Sequence, residues 1–227
     1  MRALTIFFLS LLSLPLMLNA QSVDEMLQKV SAAIEAGQHG QAVSYFRQTV
    51  SLNIDRTEMY YWTSVDKSSE ISVKLANELA IAYSKKRNYD KAYLFYKELL
   101  QKAPDHVDYL ESCAEMQVCR GQEKEALRIY EKILQLDADN LAANIFLGNY
   151  YYLMAEREKK QLETDYKKIS SPTKMQYARY RDGLSKVFAT GYEKARSSLQ
   201  KVVLRFPSTE AQKTLDKILK IEKEVNR

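Results

Sequence analysis

The side chains best suited to bond-making chemistry are few in this sequence, and their spacing leaves them little to do. Its two histidines, His39 and His106, fall at turn positions, and neither has a cysteine or acidic residue at metal-ligand spacing. Both read as surface histidines. Cys113 and Cys119 lie six residues apart within one predicted helix. At about 100° per residue they point to different faces, and the rise separates them by ~9 Å, beyond disulfide reach. Both read as small packing residues, the alternative being a bond to another chain. No glycine-rich phosphate loop, Gly-x-Ser-x-Gly elbow or His-Glu-x-x-His helix occurs. Carboxylates are plentiful, as on any helical surface, and nothing singles out an acid–base pair. We therefore expect no catalytic residue, no metal and no cofactor: not an enzyme.

Two clusters have the chemistry of recognition instead. The stretch "TEMYYWTSVDKSSEIS", residues 57–72, holds Met59, Tyr60, Tyr61 and Trp62, the single tryptophan. So apolar a run does not make a free loop. It reads as a short helix packed over a seam, or as an aromatic anchor for a partner, since Trp and Tyr dominate interface hot spots. Further on, Lys167, Lys168, Lys174, Arg179 and Arg181 alternate with Tyr166, Tyr177 and Tyr180. That mixture can simply solvate long helices, or it can meet an anionic surface such as phospholipid headgroups or an acidic protein. Nucleic acid would suit the same residues but does not suit an exported chain, which the first twenty residues imply.

Those residues, "MRALTIFFLSLLSLPLMLNA", have the form of a cleaved leader. Arg2 is the positive end, Ala3 to Leu18 the apolar run, and Asn19-Ala20 a small-residue exit. The run is shorter than the ~20 residues a spanning helix needs, although an uncleaved anchor is the rival reading. No cysteine lies near Ala20 for lipid attachment. The expected mature protein starts at Gln21 and is periplasmic or envelope-associated in a bacterium, with secretion as second choice.

The elements that must position the clusters follow from a repeat. Apolar residues make up 46% of the chain, with only 6 Gly and 4 Pro, which favours helix. Sliding the sequence against itself gives a period of 34. Leu79, Ala80 and Tyr83 are followed by Cys113, Ala114 and Gln117, then by Leu147, Gly148 and Tyr151. Ala92, Tyr96 and Pro104 are followed by Ala126, Tyr130 and Ala138. Helices approach closely only where one presents Ala or Gly, and each unit offers such a residue on both of its helices. In "NYDKAYLFYKELLQKAP", residues 88–104, the apolar surface is wider than one stripe, as expected of a helix with one partner in its own unit and another in the next.

This pattern resembles the tetratricopeptide repeat family, whose unit is a pair of antiparallel helices. The implied fold is all-α, an α-solenoid of stacked helix pairs in one domain over residues 21–227. Its units are 23–56, 73–106, 107–140 and 141–207, with residues 208–226 as a C-terminal capping helix bearing Leu215, Ile218 and Leu219. Gln117, Ala138 and Ile54 depart from the family's usual residues. Two insertions interrupt the period: 16 residues before the second unit, and 35 between Tyr151 and Tyr192. Around "SSPTK" the second predicts an extended helical hairpin, with Leu162, Tyr166 and Ile169 facing Met175, Tyr177, Tyr180 and Leu184.

Function follows from the resemblance as expectation. First helices of such units line a concave groove that binds a peptide or partner helix. Here those positions are Asn77, Glu78, Ile81 and Lys85, then Asp108, Glu111, Ser112 and Glu115, then Ile145, Asn149 and Tyr152. Asp108, Glu111 and Glu115 would repel the carboxylate tails that some family members bind, so the expected ligand is basic or neutral. From Leu141 to Arg227 there are 18 Lys and Arg against 10 Asp and Glu, while Gln21 to Asn140 has 15 against 19. Opposite-signed halves can orient the molecule on a partner. The reading is a non-catalytic interaction scaffold of the cell envelope. Its rival is a structural or assembly protein using the basic hairpin and the aromatic insert for self-association or contact with an anionic membrane.

Overall fold

The computed structural model describes residues 23–226, so the leader expected at residues 1–20 lies outside the described residues. Among the described residues all regular structure is helical, which makes this an all-α fold of repeated helix pairs. In order they are α1 (23–35), α2 (His39–Leu52), α3 (Ile54–Ser64), α4 (Glu70–Lys85), α5 (Tyr89–Lys102), α6 (Val107–Cys119), α7 (Glu123–Leu136), α8 (Leu141–Lys167), α9 (Lys174–Val187), α10 (Glu193–Arg205) and α11 (Thr209–Val225). A π-helical turn, Phe188–Tyr192, joins α9 to α10. The chain divides into two compact units, one ending at Gln122 and the other beginning at Glu123.

In the first unit one turn recurs, after the short helices α1, α4 and α6. Gly37, Arg87 and Gly121 all adopt positive φ, of 69°, 59° and 73°. After each, the next amide reaches back to the carbonyl five residues earlier: Gln38 to Ala33, Asn88 to Tyr83, Gln122 to Gln117, at 2.8–2.9 Å. Together with the bonds Gly37 to Ile34, Arg87 to Ser84 and Gly121 to Val118, this closes each helix with a Schellman motif. Asn88 then caps α5 by accepting from the Lys91 amide, and Asn53 caps α3 through Arg56. Small residues sit where helices cross: Ala42, Ala76, Ala80, Ala92 and Ala114 are fully buried, beside Phe46, Leu75, Leu79, Phe95 and Leu99. The first half of the 16-residue insert belongs to α3, which begins at Ile54, inside the stretch expected to end the first repeat, and its last residues start α4.

The second unit replaces the turn with length. At 27 residues α8 spans ~40 Å, and α9, the π turn and α10 return antiparallel to it. Glycines set the spacing. A Cβ on Gly148 would sit 2.7 Å from Leu199, one on Gly191 2.6 Å from the Ala155 Cβ, and one on Gly183 3.1 Å from Leu162. Contacts recur every seven residues along α8 (148, 155, 162) and every eight along the return (199, 191, 183). The wider i→i+5 turn at Phe188–Tyr192 takes up part of that difference. A capping box, Thr173 with Gln176, starts α9 after the hairpin end.

Helix α11 closes this unit by burying Ala211, Leu215, Ile218 and Ile221 against Tyr192, Ala195, Leu199 and Val202. Arg196 holds Glu222 at 2.9 Å, and Arg181 donates to the Glu224 and Val225 carbonyls, satisfying the last turn. Leu219, expected on the packed face, is 45% exposed, because the 3.6-residue turn carries it past the stripe shared by Ile218 and Ile221.

Candidate protein-binding surfaces

The sequence-expected groove residues of α4 come together. Glu78, Ile81 and Lys85 line a cleft of about 500 Å³ with Ala82 and with Arg47, Val50 and Ser51 of α2. Arg47 donates to Glu78 through Nε and Nη2, at 2.8 and 2.6 Å, and this bond with the carboxylate charge raises the guanidinium pKa. The Glu78 charge is therefore already ion-paired, leaving Ile81 and the exposed Lys85 as open contact groups beside the buried Val50. The three α2 residues escaped the sequence reading because the resemblance places groove positions on first helices only. The signal was an Arg–Glu pair 31 residues apart, near one period. Asn77 lies on α4, half-buried, and is not part of this cleft.

On α6, Asp108 and Glu115 are exposed, while Glu111 and Ser112 are half-buried. These positions recur at i, i+3, i+4 and i+7 and so share one stripe. The stripe also faces α5. Burial pushes the Tyr96 hydroxyl pKa up, the Ser112 hydrogen bond opposes this, and the Glu115 charge adds to the rise. In the second unit Ile145 and Asn149 are exposed, whereas Tyr152 meets Tyr192 edge-on at 6.0 Å and packs on the core.

The aromatic run divides between core and surface. Tyr61 is 1% exposed, crosses Phe95 edge-on at 5.7 Å and donates to Glu98 at 3.0 Å. Burial and that carboxylate acceptor raise its pKa. Tyr60 shares a hydroxyl hydrogen bond with Ser31 of α1 at 2.8 Å. Trp62 stacks on Phe95 at 5.4 Å yet keeps 48% of its surface exposed, near the 47% of Met59. Lys67 lies 3.9 Å from the Tyr61 ring centre and caps α3 by donating to the Tyr61 and Val65 carbonyls, and burial lowers its pKa. Lys91 bridges Glu58 at 2.6 Å and the Tyr83 hydroxyl at 3.1 Å, and those bonds raise its pKa. The insert is thus a packed helix with one partly open ring.

At the free end of the α8–α9 hairpin, Tyr166 stacks on Tyr180 at 4.4 Å and tilts against Tyr177 at 6.3 Å. Lys167, Lys168, Lys174 and Arg179 are exposed, with Lys168 paired to Asp165 at 2.8 Å. Arg181 is committed to the α11 carbonyls. Met175 and Tyr177 stand 65% and 51% exposed among these cations.

Cys113 is buried, and burial lifts its thiol pKa to about 11, whereas Cys119 is exposed, unlike the packing residue expected there. Cys119 ends α6, where the chain leaves the packed stripe. His106 stacks on Tyr109 at the surface, 4.0 Å between ring centres. Among the described residues no group of His, Cys, Asp and Glu is placed to hold a metal, and no helix is long and apolar enough to cross a membrane.

One family model and several solved structures match this chain. The family model for the tetratricopeptide repeat matches residues 75–106. A crystal structure from Bacteroides ovatus, described as a candidate protein-binding protein, is 87% identical, with a TM-score of 0.81, and the match covers 89% of this chain and 98% of that one. A TPR repeats protein of Bacteroides fragilis is 11% identical, TM-score 0.38, over 88% of this chain and 98% of the other. One from Parabacteroides merdae is 14% identical, TM-score 0.35, over 88% and 99%. No curated protein matches. The 34-residue period, the recurring Schellman turns, the family-model match and the likeness to the 87%-identical structure agree that the chain belongs to the tetratricopeptide repeat family.

Proposed function

We propose that this protein is a non-catalytic scaffold of a bacterial cell envelope, reached through a cleaved leader, and that it holds a partner protein on the face formed by α2, α4 and α6. The observation that carries this is the cleft of Val50, Ile81, Ala82 and Lys85 beside the Arg47–Glu78 ion pair. Held by helices that are already packed, such a surface contributes contacts at little ordering cost. The acidic stripe of α6 favours a basic or neutral segment over a carboxylate tail.

The test places a photo-crosslinking residue at Ile81 or, as control, at Leu219 in cells expressing the full chain. We expect one defined adduct from Ile81 that is lost when Glu111 and Glu115 are reversed to Lys, and none from Leu219. Equal labelling at both sites would reject the cleft. Fractionation of the same cells tests export, and an intact precursor in the cytosol would reject the envelope reading.

A further inference from the structure

Two exposed surfaces of opposite sign carry charges left without ion-pair partners. On α6, Asp108 and Glu115 pair with no cation among the described residues. Glu111 lies between them on the stripe, and Val118, 37% exposed, extends it by one turn. At the hairpin end Lys167, Lys174 and Arg179 pair with no anion among the described residues, around the exposed Met175 and Tyr177. Each surface thus offers a few like charges beside an apolar group. That is the composition of an interface whose core stays dry and whose rim is charged.

We propose that the hairpin end of one molecule docks on the α6 stripe of a second copy of this chain. Hairpin against hairpin would oppose cations, and α6 against α6 would oppose carboxylates. Hairpin on α6 brings unlike charges together and removes Met175 and Tyr177 from water. Because the two patches differ, the contact is heterologous, and each molecule keeps one free donor and one free acceptor face. Association is therefore concentration-dependent and weakens as salt shortens the ~10 Å Debye length of 0.1 M solution. The inference rests on the reading of α6 as a receiving face, but names its occupant.

The experiment is sedimentation velocity on the purified protein and two double variants. One carries Asp108→Lys with Glu115→Lys, the other Lys174→Glu with Arg179→Glu. All four positions are exposed, and circular dichroism checks that helix content is kept. We expect the unaltered protein to form oligomers at low salt that dissociate at high salt. Each variant alone should associate at least ~10-fold more weakly. Mixed in equal amounts, the two variants should associate again, since the intact hairpin of one meets the intact stripe of the other and the two reversed patches are complementary as well. A monomer under all conditions, variants that associate unchanged, or a mixture that stays monomeric would overturn the proposal. So would a hairpin that sediments with phosphatidylglycerol vesicles while the lipid-free protein remains monomeric. Capture of a basic peptide by α6 without self-association would overturn this proposal and leave the scaffold reading standing.

Discussion

In the first unit each repeat turns at the same place, with Gly37, Arg87 and Gly121 in the left-handed conformation. In the second, the position one period beyond Gly121 is Ala155, and there α8 runs straight on to Lys167. The turn that ends a first helix after about four turns of α-helix is missing, and glycine contacts along the helix take over the positioning. A Cβ on Gly148 or Gly191 would stand under 3.0 Å from the facing side chain, and one on Gly183 would press Leu162 aside by a few tenths of an ångström. Short repeats hold their register through hydrogen bonds that close each helix. A long pair has to hold it through close packing of its flanks.

That contrast predicts different weak points. The largest loss should come from Phe46→Ala, which empties a fully buried site of the first unit and should cost ~3–5 kcal/mol in denaturant unfolding. Hydrogen exchange should show α2 to α5 losing protection first. Gly191→Val should cost ~1–3 kcal/mol by overpacking the second unit, because Ala155 is on a rigid helix and cannot yield. Exchange should then rise first in α8 to α11, and equal loss of protection in α2 to α5 would mean that the two units do not differ in this way.

Smaller effects sharpen the comparison. The Cys113 thiol is raised from 9.0 to about 11 by burial, so the unfolded chain gives up that proton first. Stability is complete below pH 9 and falls as pH climbs through 11, since the folded state holds more protons in that window. The Tyr61 and Tyr83 hydroxyls, raised by burial and by their carboxylate acceptors, push the same way. Unfolding at pH 8 and 10.5 should show the drop, and Cys113→Ala should reduce it. A thiol reagent on the native protein should label Cys119 and spare Cys113. The smallest change runs upward: Arg87→Gly should gain ~0.5–1 kcal/mol, since arginine is strained at φ 59° where the equivalent turns use glycine. No gain would mean that Arg87 contributes contacts beyond its backbone.

Much of this molecule was legible from residue spacing. Ala80, Ala114 and Gly148 recur at the period because every crossing repeats the same steric need, and all three are buried. The hairpin announced itself through Pro172 and the facing tyrosines, of which Tyr166 and Tyr180 meet at 4.4 Å. The candidate surfaces were legible only in part. Ile81 and Glu78 could be placed on α4, but Arg47 could not be assigned to the same cleft, because that depends on how α2 lies against α4. Trp62 and Tyr61 are neighbours in sequence and both touch Phe95, more than thirty residues away, yet one is half open and the other is buried and bonded to Glu98.

The sequence by itself determined that the chain is helical, which residues are small enough for crossings, and that the period of 34 gives stacked pairs. Local hydrogen bonding and steric fit repeat with the chain, so pattern is enough. Tertiary structure alone decided that Arg181 closes α11 rather than joining a basic patch, that a π turn reconciles spacings of seven and eight, and that Leu219 faces water. Each depends on the distance and angle between helices remote in sequence, which no local pattern encodes.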